Sequence, residues 1–182
     1  MSDKETTTPV IMETERLTFR PWLESDAEVL FKYASDPDVG PRAGWSPHKS
    51  VEESLQIIRE VFASEHMWAL VLKETNEPIG CIGYFTSAES NIGIGADDAE
   101  AGYWIAKPYW NRGLCTEALQ EMMRYCRRKG FAKLWADCFV DNPPSAKVMQ
   151  KCGFVDTGCV NNLSQLYYMG DGRPVSVMVC EL

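Results

Sequence analysis

One stretch constrains this chain more than any other: Glu100 to Ala118, which reads EAGYWIAKPYWNRGLCTEA. Ala101 to Ile105 is short, apolar and aromatic, the composition of a buried strand. Pro108 closes it, because proline cannot donate to a ladder and restricts the residue before it. The turn Trp110-Asn111-Arg112-Gly113-Leu114-Cys115 then runs into Thr116, from which a helix is predicted to leave. A strand, a loop with glycine and arginine, and a helix N-terminus make an anion cradle. The first amides of the helix and the positive end of its dipole face whatever lies on the loop. Gly113 lets the backbone come close, and Arg112 adds a permanent positive charge. The expected guest carries phosphates.

The loop lacks the lysine followed by serine or threonine of a P-loop, which argues against a nucleotide triphosphatase. The other glycine-rich run, Gly93-Ile94-Gly95, has Asp98 where a dinucleotide fingerprint needs its third glycine. An acidic segment rather than a helix follows it, so it reads as a loop tip.

The residues from Trp110 to Cys115 resemble the pyrophosphate loop of the GNAT superfamily of N-acetyltransferases. The pattern there is Gln or Arg, two residues, Gly, one residue, then Gly or Ala. Here Trp110 stands in the first place and Cys115 in the last. Three strings in order, TERLTFRPW, EAGYWIAKPYWNRGLCTEAL and DNPPSAKVMQKCGF, are similar to the RimJ/RimL-type branch, and the likeness runs from Glu13 to Leu182.

Length and charge agree with that resemblance. The chain has 182 residues and a 45% apolar share, suited to one domain with a substantial core. A net charge of -8 argues against nucleic acid as a partner. The charge is uneven. Lys107 to Lys133 holds seven basic residues against Glu117 and Glu121, whereas Thr86 to Glu100 holds four acidic residues and no basic one. A basic half for an anionic donor beside an acidic half for a cationic amine suits an acetyltransferase. A plain solvated loop at Glu89, Asp97 and Asp98 is the alternative.

The seven cysteines form no C-x-x-C pair and mostly sit in apolar runs. Without a signal peptide, they predict a reducing, cytoplasmic setting and no disulfide frame. The longest clean apolar run, Met67 to Leu72, is far short of the ~20 residues a membrane helix needs. With only His48 and His66, remote from any cysteine cluster, no metal site is expected.

Met1 to Met12 is polar and threonine-rich and reads as a loose tail, leaving residues 13–182 as one domain. Arg16 to Arg20 alternates as a strand. Ser25-Asp26-Ala27-Glu28 and Ser50-Val51-Glu52-Glu53 fit capping boxes for two helices. Gly40 to Lys49, between them, reads as a loop. Met67 to Leu72 and Ile79 to Phe85 are predicted antiparallel neighbours. The helix from Thr116 stops at Gly130, a strand follows over Lys133 to Val140, and Asn142-Pro143 opens a helix that ends at Gly153. Phe154 to Val160 and Ser176 to Glu181 close the sheet, the second entered through Gly170-Asp171-Gly172. The expectation is an α+β fold: a mixed, mostly antiparallel sheet flanked by about four helices.

The resemblance implies more. It places splayed strands at Ala101–Ile105 and Lys133–Val140, with the pantetheine arm of acetyl-CoA in the gap along Trp104, Ile105 and Ala106. It puts the pyrophosphate on the amides of Arg112 to Thr116 and assigns Asn142 to the pantetheine. Glu100 becomes the base that accepts the amine proton. Many members protonate the leaving thiolate with a tyrosine where this chain has Met149; Ser145 takes that place in the RimJ/RimL-type branch, unless water supplies the proton. Trp45 and His48, in the loop that roofs the acceptor, become substrate contacts. The implied reaction is direct acetyl transfer to a primary amine, foremost a protein N-terminus, with homodimers frequent. Small-molecule amine acetylation and non-catalytic acyl-CoA binding stay open as alternatives.

Overall fold

The apolar runs become one sheet of eight strands in the computed structural model, which describes residues 11–161 and 173–182. The chain runs β1 (Met12–Glu13), β2 (Leu17–Arg20), α1 (Ala27–Ala34), α2 (Gly40–Ala43), α3 (Val51–Glu60), β3 (Met67–Leu72) and β4 (Glu77–Phe85). It continues through β5 (Asp98–Ile105), α4 (Leu114–Lys129), β6 (Lys133–Phe139), α5 (Pro143–Lys151), β7 (Val155–Asn161) and β8 (Val175–Glu181). Strand order is β1-β2-β3-β4-β5-β6-β8-β7, and every neighbouring pair is antiparallel except β5 with β6. That parallel pair is joined through α4, the long connection a parallel pair requires.

Helices cover both faces of the left half of the sheet. Leu30, Ala34 and Ile58 from α1 and α3 pack with Trp22, Ala69, Val71 and Cys81. On the other face Leu119, Met122 and Cys126 of α4 and Met149 of α5 meet Phe19, Leu70, Ile82 and Leu134. Burial on both faces is why β3 and β4 read as continuous apolar runs rather than alternating ones.

The differences from the expected elements have local causes. Helix α4 starts at Leu114 rather than Thr116, because Gly113 takes φ +76° and turns the chain in two residues earlier. Asp26 does not serve a box opened by Ser25: its carboxylate receives the Leu23 amide at 2.9 Å and a two-pronged bond from Arg20 at 2.7 and 2.9 Å. The box is thus shifted back to Leu23, with Asp26 as its acceptor and Arg20 satisfying the rest of the carboxylate. At the second box Ser50 Oγ accepts the Glu53 amide at 3.1 Å, as expected. The segment expected as a plain loop opens with the one-turn helix α2, a fifth helix, with Pro41 in its first turn and Gly44 ending it at φ +90°. Met12 pairs with Phe19 in β1, and Gly170-Asp171-Gly172 lies outside the described residues.

One feature of the sheet positions everything functional. Strands β5 and β6 pair only at Asp98–Lys133, Ala99–Leu134 and Glu100–Trp135, yet β5 runs on to Ile105 and β6 to Phe139. Beyond Glu100 the two strands part and leave a wedge-shaped gap.

Candidate active site

The gap exposes an unpaired strand edge whose groups can be worked out from the ladder. Ala106 donates to Ile79 O at 2.8 Å, so its amide is committed within the sheet. Antiparallel alternation then turns Trp104 and Gly102 toward β4, and Tyr103 and Ile105 toward the gap. The Ile105 carbonyl accepts Trp110 Nε1 at 2.6 Å. Of the Trp104–Ala106 stretch, the group left facing the gap is therefore the Ile105 N–H, with the N–H and C=O of Tyr103 beside it.

A cleft of about 530 Å³ opens along this edge. It is lined by Trp104, Ile105, Trp110, Asn111, Gly113, Leu114, Cys115 and Thr116 on one side and by Asn142, Ser145 and Val148 on the other. The first bond inside α4 runs from the Glu117 amide to Gly113 O at 3.0 Å. The amides of Leu114, Cys115 and Thr116 have no acceptor in the helix, and no side chain caps them. A set of unspent amides over a side-chain-free Gly113, at the wall of a cleft, fits the diphosphate of a CoA thioester.

A brace from the N-terminal strands holds that cradle. Glu117 accepts the Arg16 amide at 2.9 Å and the Arg16 Nε at 2.7 Å, together with the hydroxyl of Thr14. Arg16 Nη1 donates to Arg112 O at 2.8 Å. Burial pushes the Glu117 carboxyl up, but these donors outweigh it and hold it below the usual glutamate range. Sequence reasoning missed this role for Arg16, although it stands in the TERLTFRPW string.

Arg112 itself departs from expectation. Its guanidinium lies over the Tyr109 ring and 3.9 Å from Glu74, and the side chain does not line the cleft. Only its loop amide can serve the cradle. Other residues of the basic run are drawn off as well: Arg124 and Arg128 pair with Glu121, and Lys107 pairs with Asp38. The cations that line the cleft are Arg42, Lys147 and Lys151.

On the far wall, Asn142 precedes α5 but its side chain does not cap it; its Nδ2 donates to Arg42 O at 3.2 Å. Ser145 Oγ sits 3.1 Å from the hydroxyl of Tyr103, which reaches across the gap from β5. Burial raises the Tyr103 phenol well above its ordinary range, so it stays a neutral donor. Tyr103 carried a signal in the sequence, since it lies between Ala101 and Ile105 on the strand that borders the gap. Met149 is fully buried in the core and lines no part of the cleft.

Glu100 lies on the opposite face. It is the third residue of β5 and 5% exposed. Its Oε2 accepts the Ser90 hydroxyl at 2.6 Å and the Asn91 amide at 3.3 Å, both from the β4–β5 loop. Burial raises the carboxyl, the Ser90 bond opposes it, and Asp137 nearby adds to the rise. Period-two alternation puts Glu100 on the face of Trp104. There Trp104 stacks on Trp22 at 6.4 Å and meets Trp45 edge-on at 5.7 Å. Trp45 also touches His48, whose Nδ1 is 2.8 Å from Ser54 Oγ; burial holds this imidazole below its ordinary pKa. His48 anchors the loop to α3, and Trp45 is the member of the pair that reaches the strand. Neither residue, nor Glu100, lines the cleft.

Asp98, expected either in an acidic half facing a cationic amine or in a solvated loop, is in β5, buried, and accepts Trp135 Nε1 at 2.9 Å. Cys115 lines the cleft, but burial of its sulfur pushes the thiol up to about 12, and Cys152 is pushed to about 11. Neither is a thiolate near neutral pH. Among the described residues no three His, Cys, Asp or Glu gather as metal ligands, and no helix is long and apolar enough to cross a membrane.

Comparison with known proteins gives a consistent result. The family description "Acetyltransferase (GNAT) domain" matches residues 16–155. The uncharacterized N-acetyltransferase YoaA of Bacillus subtilis is 28% identical over 176 residues, covering 93% of this chain and 94% of that protein. The ribosomal-protein-serine acetyltransferase of Escherichia coli is 28% identical over 124 residues, 68% of this chain and 63% of that protein. Among solved structures, a putative ribosomal-protein-serine acetyltransferase from Vibrio cholerae superposes with a TM-score of 0.77 at 22% identity, covering 97% of this chain and 100% of that one.

Proposed function

This chain belongs to the GNAT acetyltransferase family, and we propose that it acetylates a protein N-terminal α-amine by direct transfer from acetyl-CoA. The enzyme class, an N-acetyltransferase, and the donor, acetyl-CoA, come with the family. The choice of acceptor and the residue roles are our reading. The observation that carries it is the division of the site by the splayed strands: a diphosphate cradle and thioester cleft on the α4–α5 side, a buried carboxylate on the α1–α3 side.

Acetyl-CoA supplies an acyl carbon activated by its thioester. The edge N–H groups of Tyr103 and Ile105 hold the pantetheine arm by strand-like pairing, and the amides of Leu114 to Thr116 hold the diphosphate. An edge N–H also faces the carbonyl oxygen as it gains charge. Glu100 accepts the proton from the attacking amine, directly or through one water, and its raised pKa brings it closer to the working range of a base. As the C–S bond breaks, the electron pair goes to sulfur. Ser145, with Tyr103 donating to its oxygen, presents its own hydroxyl to that thiolate; the proton that finally sits on sulfur can equally come from water.

The protein acceptor is supported by the name of the Escherichia coli relative and by amine chemistry. An α-amine near pKa ~7.7–8.0 is substantially neutral at physiological pH, whereas a lysine near 10.4 is almost wholly charged and demands a stronger base. The raised pKa of the Cys115 thiol at the cleft wall favours direct transfer over an acetyl-cysteine intermediate. The test is thiol release from acetyl-CoA with a panel of N-terminal peptides, N-blocked lysine peptides, amino acids and polyamines. Turnover on free N-termini and little on the rest is expected. Turnover confined to small amines would replace the acceptor and keep the chemistry.

A further inference from the structure

We propose that Arg42, carried on α2, is the cationic ligand of the donor's diphosphate, in the role that the loop sequence suggests for Arg112. The inference rests on the reading that the cleft takes acetyl-CoA. Three observations carry it. First, the loop's own arginine is turned away: Arg112 lies over Tyr109 and toward Glu74, outside the cleft. Second, Arg42 reaches the cleft from α2, with its guanidinium over the loop's own Trp110 ring, 5.3 Å from the centroid. No carboxylate lies within ion-pair distance of it among the described residues; Asp38, whose carboxyl feels its charge, is bonded to Lys107, and Arg124 is held by Glu121. Third, the backbone that carries it is fixed from across the gap. Asn142 Nδ2 donates to Arg42 O at 3.2 Å, and Arg173 Nη2 donates to Pro41 O at 2.7 Å.

Helix α2 thus bridges the two arms of the wedge, above the mouth of the cleft. A guanidinium held over an aromatic ring spends no N–H donor on an acceptor oxygen there, and its fork of N–H groups matches two phosphate oxygens at once. The helix amides supply donors to one side of the diphosphate, and Arg42 supplies charge to the other. Trp110, which occupies the place of the usual polar loop residue, then has two tasks: it caps the Ile105 carbonyl and seats the arginine. The same turn carries Trp45, whose amide is bonded to Gly40 O at 3.0 Å, so seating the donor also steadies the roof of the acceptor side.

The test is the affinity of wild type, Arg42→Met, Arg42→Lys and Arg112→Met for CoA, dephospho-CoA and pantetheine, measured by calorimetry, with thermal midpoints as a folding control. A charge-assisted contact predicts roughly tenfold or greater loss of CoA affinity in Arg42→Met, with Arg42→Lys between it and wild type. Arg112→Met should lose less than Arg42→Met. The loss should be equal for CoA and dephospho-CoA and absent for pantetheine, which lacks the diphosphate. Unchanged CoA affinity in Arg42→Met overturns the proposal, as does a loss that extends to pantetheine or that vanishes with dephospho-CoA. Wild-type protein that binds CoA through Arg42 yet acetylates no amine would leave this inference standing and remove the proposed function.

Discussion

At Glu100 a carboxylate is placed where folding alone would not put one. It is 5% exposed, two hydrogen bonds hold it, and its pKa lies above the ordinary glutamate value because of burial. A carboxyl whose folded pKa is raised weakens the fold as pH rises from its unfolded pKa through its folded one, and costs nothing when both states are protonated. Glu100→Gln is therefore expected to raise the thermal midpoint at neutral pH and to leave it unchanged below about pH 4. Ser90 pulls the other way, since its hydroxyl at 2.6 Å favours the charged form. Ser90→Ala should move the acidic limb of the kcat/KM–pH profile upward while the amine's own limb, near pH ~8, stays fixed. An unmoved acidic limb would deny Ser90 its positioning role. Glu100 stands out in the sequence at the head of the organising strand. Ser90 does not, because a serine in a polar loop carries no periodicity and its partner is ten residues away.

At the scale of elements, α4 shows how a helix start becomes a binding site. Its first turn is uncapped, so the free amides depend on other parts of the chain for their position. Glu117 provides that link, gathering Thr14 and Arg16 and through Arg16 the Arg112 carbonyl. Glu117→Gln should cost roughly 2 kcal/mol, or about 4–8 °C in thermal midpoint, and weaken CoA binding as the loop loosens. Its carboxyl sits below the usual range, so this stabilisation is present above about pH 4.3 and is lost as pH falls; the mutant and wild type should converge in acid. Equal midpoints at neutral pH would contradict the brace. Strands β2 to β6 and β8, with helix α4, were legible from apolar periodicity and a glycine stop, because each buries a continuous face. The one-turn α2 was not, since Gly40 to Lys49 has the composition of a loop and is held by Asn142 and Arg173, far away in sequence.

At the scale of the molecule, function depends on a defect: the sheet has eight strands but its central parallel pair closes for only three positions. That splay separates the donor's cleft from the acceptor's carboxylate while leaving one strand, β5, common to both. A mixed, mostly antiparallel sheet, the gap and the cradle were expected from the sequence; the placing of β8 between β6 and β7 was not. Which charge faces the cleft was not either, because the basic run 107–133 looks like a phosphate field until Arg112, Arg124 and Arg128 are seen paired with Glu74 and Glu121. Side-chain direction is set by long-range partners, which a linear pattern does not record. Direct transfer across the splay predicts that Cys115→Ser keeps nearly all activity, measured as thiol release; loss of activity with CoA affinity intact would instead point to an acetylated cysteine.

The most direct test is kcat/KM for an N-terminal peptide in wild type and Glu100→Gln across pH, with CoA affinity measured in parallel. Direct attack assisted by Glu100 predicts a fall of about a hundredfold or more in the variant, loss of the acidic limb, and unchanged CoA binding. Equal rates and equal limbs in the two proteins would contradict it and place the base elsewhere.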